Sequence, residues 1–201
     1  YDAEPDEKEP SVLIAGLGRF GQVSARILTA NKIPFIALDK DPEQIEFLKK
    51  FGSKVFYGDA SRLDLLRTAG ISKVKVLLIA IDNDQEALKI AYLVRDHFPD
   101  IKIIARAHNR MSVVNYARAG VNTYVREVFP AGLKAAEKLL QAYGFDEEKA
   151  VHTVSVFAKH DEKLVHISAT KNLNLQQMID INEQDKTELQ SLFERDEKGI
   201  K

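Results

Sequence analysis

From Val12 to Arg126 the chain alternates between two hydrophobic periods. Short β-branched runs, of the kind buried on both faces of a parallel sheet, occur at VLIAG (12–16), FIALD (35–39), KVFYGD (54–59), VKVLLIAID (74–82), IKIIARA (101–107) and NTYVR (122–126). The intervening stretches carry apolar residues at helical spacing: Phe20, Val23, Ile27 and Leu28; Ile45, Leu48 and Phe51; Leu63, Leu65, Leu66 and Ala69; Ala87, Ile90, Ala91 and Val94; Val113, Val114 and Ala117. Gly52, Gly70, Pro99 and Gly120 fall just past these helices, where caps and breaks belong. Six strands separated by five helices predict an α/β, Rossmann-like, doubly wound parallel sheet over residues 11–128, with right-handed crossovers.

Beyond it the pattern changes. Residues 129–145 predict one crossover helix after Pro130, with a stripe of Leu133, Ala136, Leu139, Leu140 and Tyr143 widened by Ala131, Ala135 and Ala142. An apolar surface this broad needs more than one packing partner, within the chain or on a second subunit. Residues 146–201 read as a small, irregular and partly flexible extension. Short strands are expected at Val154–Phe157 and Leu164–Ile167, and Glu183–Lys201 is either a surface helix around Leu189, Leu192 and Phe193 or disordered. Residues 1–10 form an acidic linker.

Charge excludes several functions. Lys plus Arg (29) nearly cancels Asp plus Glu (30), so no global field recruits nucleic acid or an anionic membrane. The absence of cysteine removes disulfides, thiolate metal sites and a cysteine nucleophile, and fits a reducing compartment. No apolar run reaches the ~18 residues of a membrane span, and YDAEPDEKEP is not a signal peptide. A start on Tyr1 rather than methionine raises the expectation of a soluble piece of something longer.

The chemistry concentrates in VLIAGLGRFGQ. Gly16, Gly18 and Gly21 satisfy G-x-G-x-x-G between a strand and a helix, the context in which this pattern binds a dinucleotide pyrophosphate on the helix N-terminus. Asp39 ends the second strand eighteen residues beyond Gly21, placed to accept bonds from ribose hydroxyls and to repel a 2′-phosphate, which disfavours NADP; Lys40 complicates that reading. Asp59 either lies beside the adenine or caps the segment starting at Ser61. Asp82, Asn83 and Asp84 are candidates to cap the next helix. Arg19, inside the loop, reaches a phosphate, binds a second anion near the cleft, or is simply solvated. Arg106 and Arg118 are further candidates at the same sheet edge.

Redox catalysis lacks its parts. A tyrosine with lysine four residues on is absent: Tyr57, Tyr92, Tyr116, Tyr124 and Tyr143 are followed at that spacing by Ser61, Asp96, Gly120, Val128 and Glu147. His97, His108, His152, His160 and His166 show no metal-ligand spacing, so neither a catalytic residue nor a metal ligand is assigned. His108, just after the fifth strand, is a solvated loop histidine or a site residue.

The runs VLIAGLGRFGQ, LDKDPEQIE, FGSKVFYGDASRLDLLRTAGI, LLIAIDND, IIARAHNR and RAGV, in this order over Ser11–Gly144, resemble the regulatory nucleotide-binding domain of potassium channels and transporters known as RCK or KTN (TrkA-N-like). The arginine-bearing loop and KFGSKVFYGDASR are most similar to the C-terminal domain of Kef-type glutathione-gated potassium efflux systems. That resemblance implies a ligand-sensing domain rather than an enzyme, on the cytoplasmic face of a bacterial inner membrane. It implies a homodimer through the Rossmann face and crossover helix, a membrane transporter module in the same longer chain, and a soluble ancillary flavodoxin-like oxidoreductase. Glutathione would hold the K+/H+ antiport pathway closed and its electrophile adducts would open it. AMP or NAD(H) would be held by Gly16, Leu17, Gly18, Arg19, Phe20, Gly21, Asp39, Lys40, Asp59, Ala60, Ala80 and Ile81. Glutathione would be held by Arg19, Arg106, Asn109 and Arg118, with further contacts in VFAKHD; Phe47, Phe51 or Phe129 would sense its sulfur substituent. The rivals are a KTN subunit of a potassium uptake system that senses nucleotide alone and an NAD-dependent oxidoreductase.

Overall fold

The computed structural model describes residues 9–43, 45, 54–121, 123–171, 176–177, 180–181 and 187–194. They form two compact units. The first comprises residues up to 107 together with 119–125, and the second comprises 108–118 and 126 onward.

The first unit is the sheet. Its strands β1 (Val12–Ala15), β2 (Phe35–Asp39), β3 (Lys54–Tyr57), β4 (Val76–Ile79), β5 (Lys102–Ala107) and β6 (Thr123–Arg126, whose last residue falls in the second unit) take the order β3-β2-β1-β4-β5-β6. β1 pairs in parallel with β2 and β4, β2 with β3, and β4 with β5. The order reverses at β1, and a ligand crevice opens at such a reversal, at the carboxyl ends of the strands. The strands are shorter than their apolar runs because the chain turns soon beyond them: Gly16 has φ +98°, and past β4 the Ala80 amide makes a last bond to the Ala15 carbonyl at 2.7 Å. Asn122 lies outside the described residues.

Both sheet faces are apolar, so the strands carry continuous hydrophobic runs. Ile14 pairs with Ala37 and Leu78, and this row packs with Leu17, Ala25 and Phe35 beneath α1 (Arg19–Ala30). Leu13, Ile36, Leu77 and Ile103 point to the opposite face and are also buried. Each such leucine or isoleucine contributes about 1.5–3 kcal/mol through burial. α2 (Leu63–Ala69) ends in left-handed Gly70, and α3 (Asp84–His97) starts from Asn83. Of the predicted second helix, residues 42, 43 and 45 are helical and Ile45 is buried; Phe47, Leu48, Phe51 and Gly52 lie outside the described residues.

The second unit is helical: α4 (Arg110–Arg118), α5 (Val128–Tyr143) and α6 (Glu147–Thr170), with α6 packed against both others. The crossover helix is α5, closed by Gly144 at φ +124°. The strands expected at Val154–Phe157 and Leu164–Ile167 do not form; both segments lie within α6. Their β-branched residues suggested strand, but Asp146 caps the helix by accepting the Lys149 amide at 2.7 Å, and Glu147 and Glu148 complement its first turn. The buried positions Asp161, Leu164, Val165 and Ser168 follow helical spacing, a stripe obscured because two buried residues, His160 and Asp161, are polar. Residues 187–194 are helical, including Leu189, Leu192 and Phe193.

Candidate functional site

The glycines at the carboxyl edge of β1 have three different surroundings. At Gly16, in the left-handed region, a Cβ would sit 2.9 Å from the Ala80 carbonyl, so the turn needs glycine for both conformation and space. At Gly21 a Cβ would come within 2.0 Å of the Gly16 carbonyl oxygen, which fixes how closely α1 approaches the strand. At Gly18 nothing lies within 4 Å. That position opens onto free space at the start of α1, as expected where a phosphate approaches the backbone. Gly18 is the N-cap and supplies no side-chain hydrogen bond, and the first turn carries no acid. The α1 amides and partial positive charge are thus left for an anion.

Asp39 ties the loop to β2. One carboxylate oxygen accepts the Leu17 amide and the other accepts the Asp41 amide at 2.8 Å. Each oxygen has a further lone pair to offer a ribose hydroxyl. Leu17, Ala60 and Ala80 are buried, Phe20 is half-buried, and Ile81 follows Ala80 at the mouth.

Lys40 bridges two elements. Its Nζ lies 3.2 Å from Asp59 Oδ2 and 2.9 Å from Glu86 Oε1. The Glu86 hydrogen bond raises the Lys40 ammonium above its ordinary value, against a smaller opposing effect of burial. Asp59 Oδ1 accepts the Ser61 amide at 2.8 Å, closing a turn ahead of α2 rather than capping it, since the N-cap of that helix is Arg62 and carries no side-chain cap bond. Burial raises the Asp59 carboxyl, but the bonds from Ser61 and the charge of Lys40 together outweigh it and hold the group below its ordinary value. Glu86 was not anticipated from the sequence, because nothing local signals a partner 46 residues away. Asn83 caps α3 by accepting the Gln85 and Glu86 amides at 3.0 Å.

The arginines divide. Arg19 is exposed and has no hydrogen-bond or ion-pair partner among the described residues. Arg106 is buried; it pairs with Asp82, donates to the Ala80 carbonyl at 3.3 Å, and holds its guanidinium 5.3 Å from the Phe20 ring centre. In the second unit Arg118 is exposed at the end of α4, while the Asn109 side chain accepts the Ser112 amide at 2.9 Å and so caps α4. His108 lies 3.7 Å from Glu127. Asp161, the last residue of VFAKHD, is buried and paired with both Arg110 and Arg126; Arg126 also covers the Phe129 ring at 3.7 Å. This cluster went unanticipated because its members come from three separate elements. Among the described residues no group of acidic or histidine side chains could hold a metal ion.

α5 buries none of its residues, and with α6 it encloses an apolar groove of about 530 Å³ lined by Phe129, Leu133, Leu139, Leu140, Val154 and Phe157. Leu139 is 71% exposed and Tyr143 84%.

Comparison with known proteins shows the family. Residues 12–127 match the model of the TrkA-N domain, and residues 131–200 that of the potassium efflux system KefB C-terminal domain. The glutathione-regulated potassium-efflux system protein KefC of Salmonella paratyphi B is 43% identical over 162 residues, 81% of this chain and 26% of that protein. The chain therefore spans about a quarter of the curated relatives it matches. The Kef C-terminal domain of Shewanella denitrificans in its AMP-bound form is 40% identical, with TM-score 0.71 over 79% of this chain and 96% of that one. The TrkA-N domain of inner membrane protein ybaL from Escherichia coli is 28% identical, with TM-score 0.57 over 65% of this chain and 94% of that one.

Proposed function

The chain belongs to the TrkA-N domain family, and from that premise we propose that it is the cytoplasmic regulatory domain of a potassium efflux system, binding AMP or NAD(H) in the crevice beside Gly18 and glutathione or its adducts as gating effector. The observation that carries the nucleotide half is the open approach to Gly18 at an uncapped helix start, with the Asp39 carboxylate fastened beside it. The AMP in the similar Kef domain supports the same reading. The effector half is supported by the glutathione-regulated relatives and by Arg19, a guanidinium without a partner among the described residues. Arg118, exposed at the end of α4, is the second proposed effector arginine; Arg106 and Asn109, already engaged by Asp82 and by α4, contribute through position. A second copy covers the apolar surface of α5, and a membrane module belongs to the same longer protein, with a soluble oxidoreductase as ancillary partner.

The domain performs no chemistry in this reading. An effector shifts a two-state assembly only through unequal affinity for its states, and glutathione and its adducts differ only at sulfur. Calorimetry with AMP, NADH and glutathione on the purified chain tests it. Arg19→Ala and Arg118→Ala, made separately, are expected to weaken glutathione binding at least tenfold with nearly unchanged melting. Undiminished glutathione affinity in both would remove the effector assignment. Substrate-dependent oxidation of NADH would favour an oxidoreductase instead.

A further inference from the structure

The bridge made by Lys40 bears on which nucleotides the crevice accepts. A cation following the ribose-binding carboxylate is the group a 2′-phosphate would seek, and lysine serves phosphate as a point charge. Here that charge is already committed, to Asp59 from the end of β3 and to Glu86 from the first turn of α3. Asp59 is also held by the Ser61 amide at 2.8 Å, and Glu86 stands in a first helical turn whose start Asn83 caps, its carboxylate 42% exposed. Lys89, one turn further along α3, is directed to the Ser61 hydroxyl at 3.4 Å. The oxygens of Asp39 accept two backbone amides and can take ribose hydroxyls, but they offer no donor to a phosphate.

We propose that Glu86, together with Asp59, is a positioning residue that withholds Lys40 from the ribose, so that the crevice selects adenine nucleotides with a free 2′-hydroxyl. The inference rests on the nucleotide reading above and extends it from the binding of a nucleotide to the class selected. Asp39 repels a 2′-phosphate, and the bridge keeps the Lys40 cation from compensating.

The test is calorimetry of 5′-AMP and adenosine 2′,5′-bisphosphate against the wild-type chain, Glu86→Gln, and Glu86→Gln combined with Lys40→Ala, with melting curves for all three. Glu86→Gln is expected to improve bisphosphate binding relative to AMP by about two- to fivefold, the range for one exposed ion pair. The double variant is expected to lose that gain, since it acts through Lys40. An unchanged ratio in Glu86→Gln, or a gain that survives without Lys40, overturns the proposal while AMP binding keeps the nucleotide reading intact. Failure of the wild type to bind AMP overturns both.

Discussion

Gly18 and Gly21 are three residues apart in one loop, and replacing each by alanine should separate site from scaffold. At Gly21 the new Cβ would begin 2.0 Å from the Gly16 carbonyl oxygen. A carbon–oxygen contact needs about 3.3 Å, so α1 or the loop must retreat by about 1.3 Å, within a packed interface. Overpacking of this kind costs about 2–3 kcal/mol, or about 4–12 °C of melting temperature for a chain of this size. At Gly18 a Cβ meets nothing within 4 Å, and the backbone there, φ −61° and ψ −174°, is open to any residue. Alanine is a poorer N-cap than glycine by about 0.5 kcal/mol, and the reduced freedom of the unfolded chain offsets that by about 0.4–1 kcal/mol. Melting followed by circular dichroism should therefore move by no more than about 2 °C. The methyl group would instead stand where a phosphate meets the backbone, and AMP affinity by calorimetry should fall at least about tenfold, some 1.4 kcal/mol. A Gly18→Ala chain that melts normally and binds AMP with wild-type affinity refutes the reasoning, as does a Gly21→Ala chain as stable as wild type.

Three other outcomes follow from the same structure. Asp59 has a folded pKa below its ordinary 3.8, so its contribution is present above that value and is lost as pH falls beneath it; Asp59→Asn should flatten the acid limb of the stability profile below about pH 4, checked by urea titrations at several pH values. Asp161 is 2% exposed and pairs with both Arg110 and Arg126, so Asp161→Ala removes the carboxylate they share and should cost about 1.5–3 kcal/mol in denaturant unfolding. Leu139→Lys, on a side chain 71% exposed, should leave far-UV circular dichroism unchanged and abolish the proposed dimer in sedimentation; a persistent dimer would place the interface elsewhere.

The alternation of strands and helices and the glycine loop were legible because they rest on local pattern. Short continuous apolar runs, period-3.6 apolar spacing, Gly16 with its positive φ, and Asn83 at a helix start are each decided within a few residues. α6 was misread for a related reason. Its β-branched residues gave a local strand signal, while the stripe that overrides it runs through His160 and Asp161, which are buried although polar. No pattern in one sequence marks a carboxylate for burial when its partners are Arg110 and Arg126, 51 and 35 residues away. The Lys40–Glu86 bridge was invisible for the same cause: ion pairs across the crevice are made by the fold.

These pairings also explain why an arginine stands inside a glycine loop. Among the described residues the carboxylates around the crevice already have work: Asp39 holds two amides, Asp59 an amide and Lys40, Asp82 the Arg106 guanidinium, and Glu86 Lys40 again. Arg106 and Lys40 are thereby balanced within the first unit. Arg19 is not, and it leads a helix whose first turn has neither cap nor acid. An acid placed there for balance would stabilise α1 by roughly 0.3–1 kcal/mol, and its absence leaves that stabilisation to a bound anion. In the proposed function two anions would meet at one helix start, one at the backbone amides beside Gly18 and one at a side chain long enough to reach past them. A scaffold that needed only a tight turn would require Gly16 and Gly21 alone. An open Gly18 and an exposed Arg19 at one helix start are the features that the proposed binding of small anions at this edge of the sheet requires, and a chain that bound neither AMP nor glutathione would leave Arg19 to simple solvation.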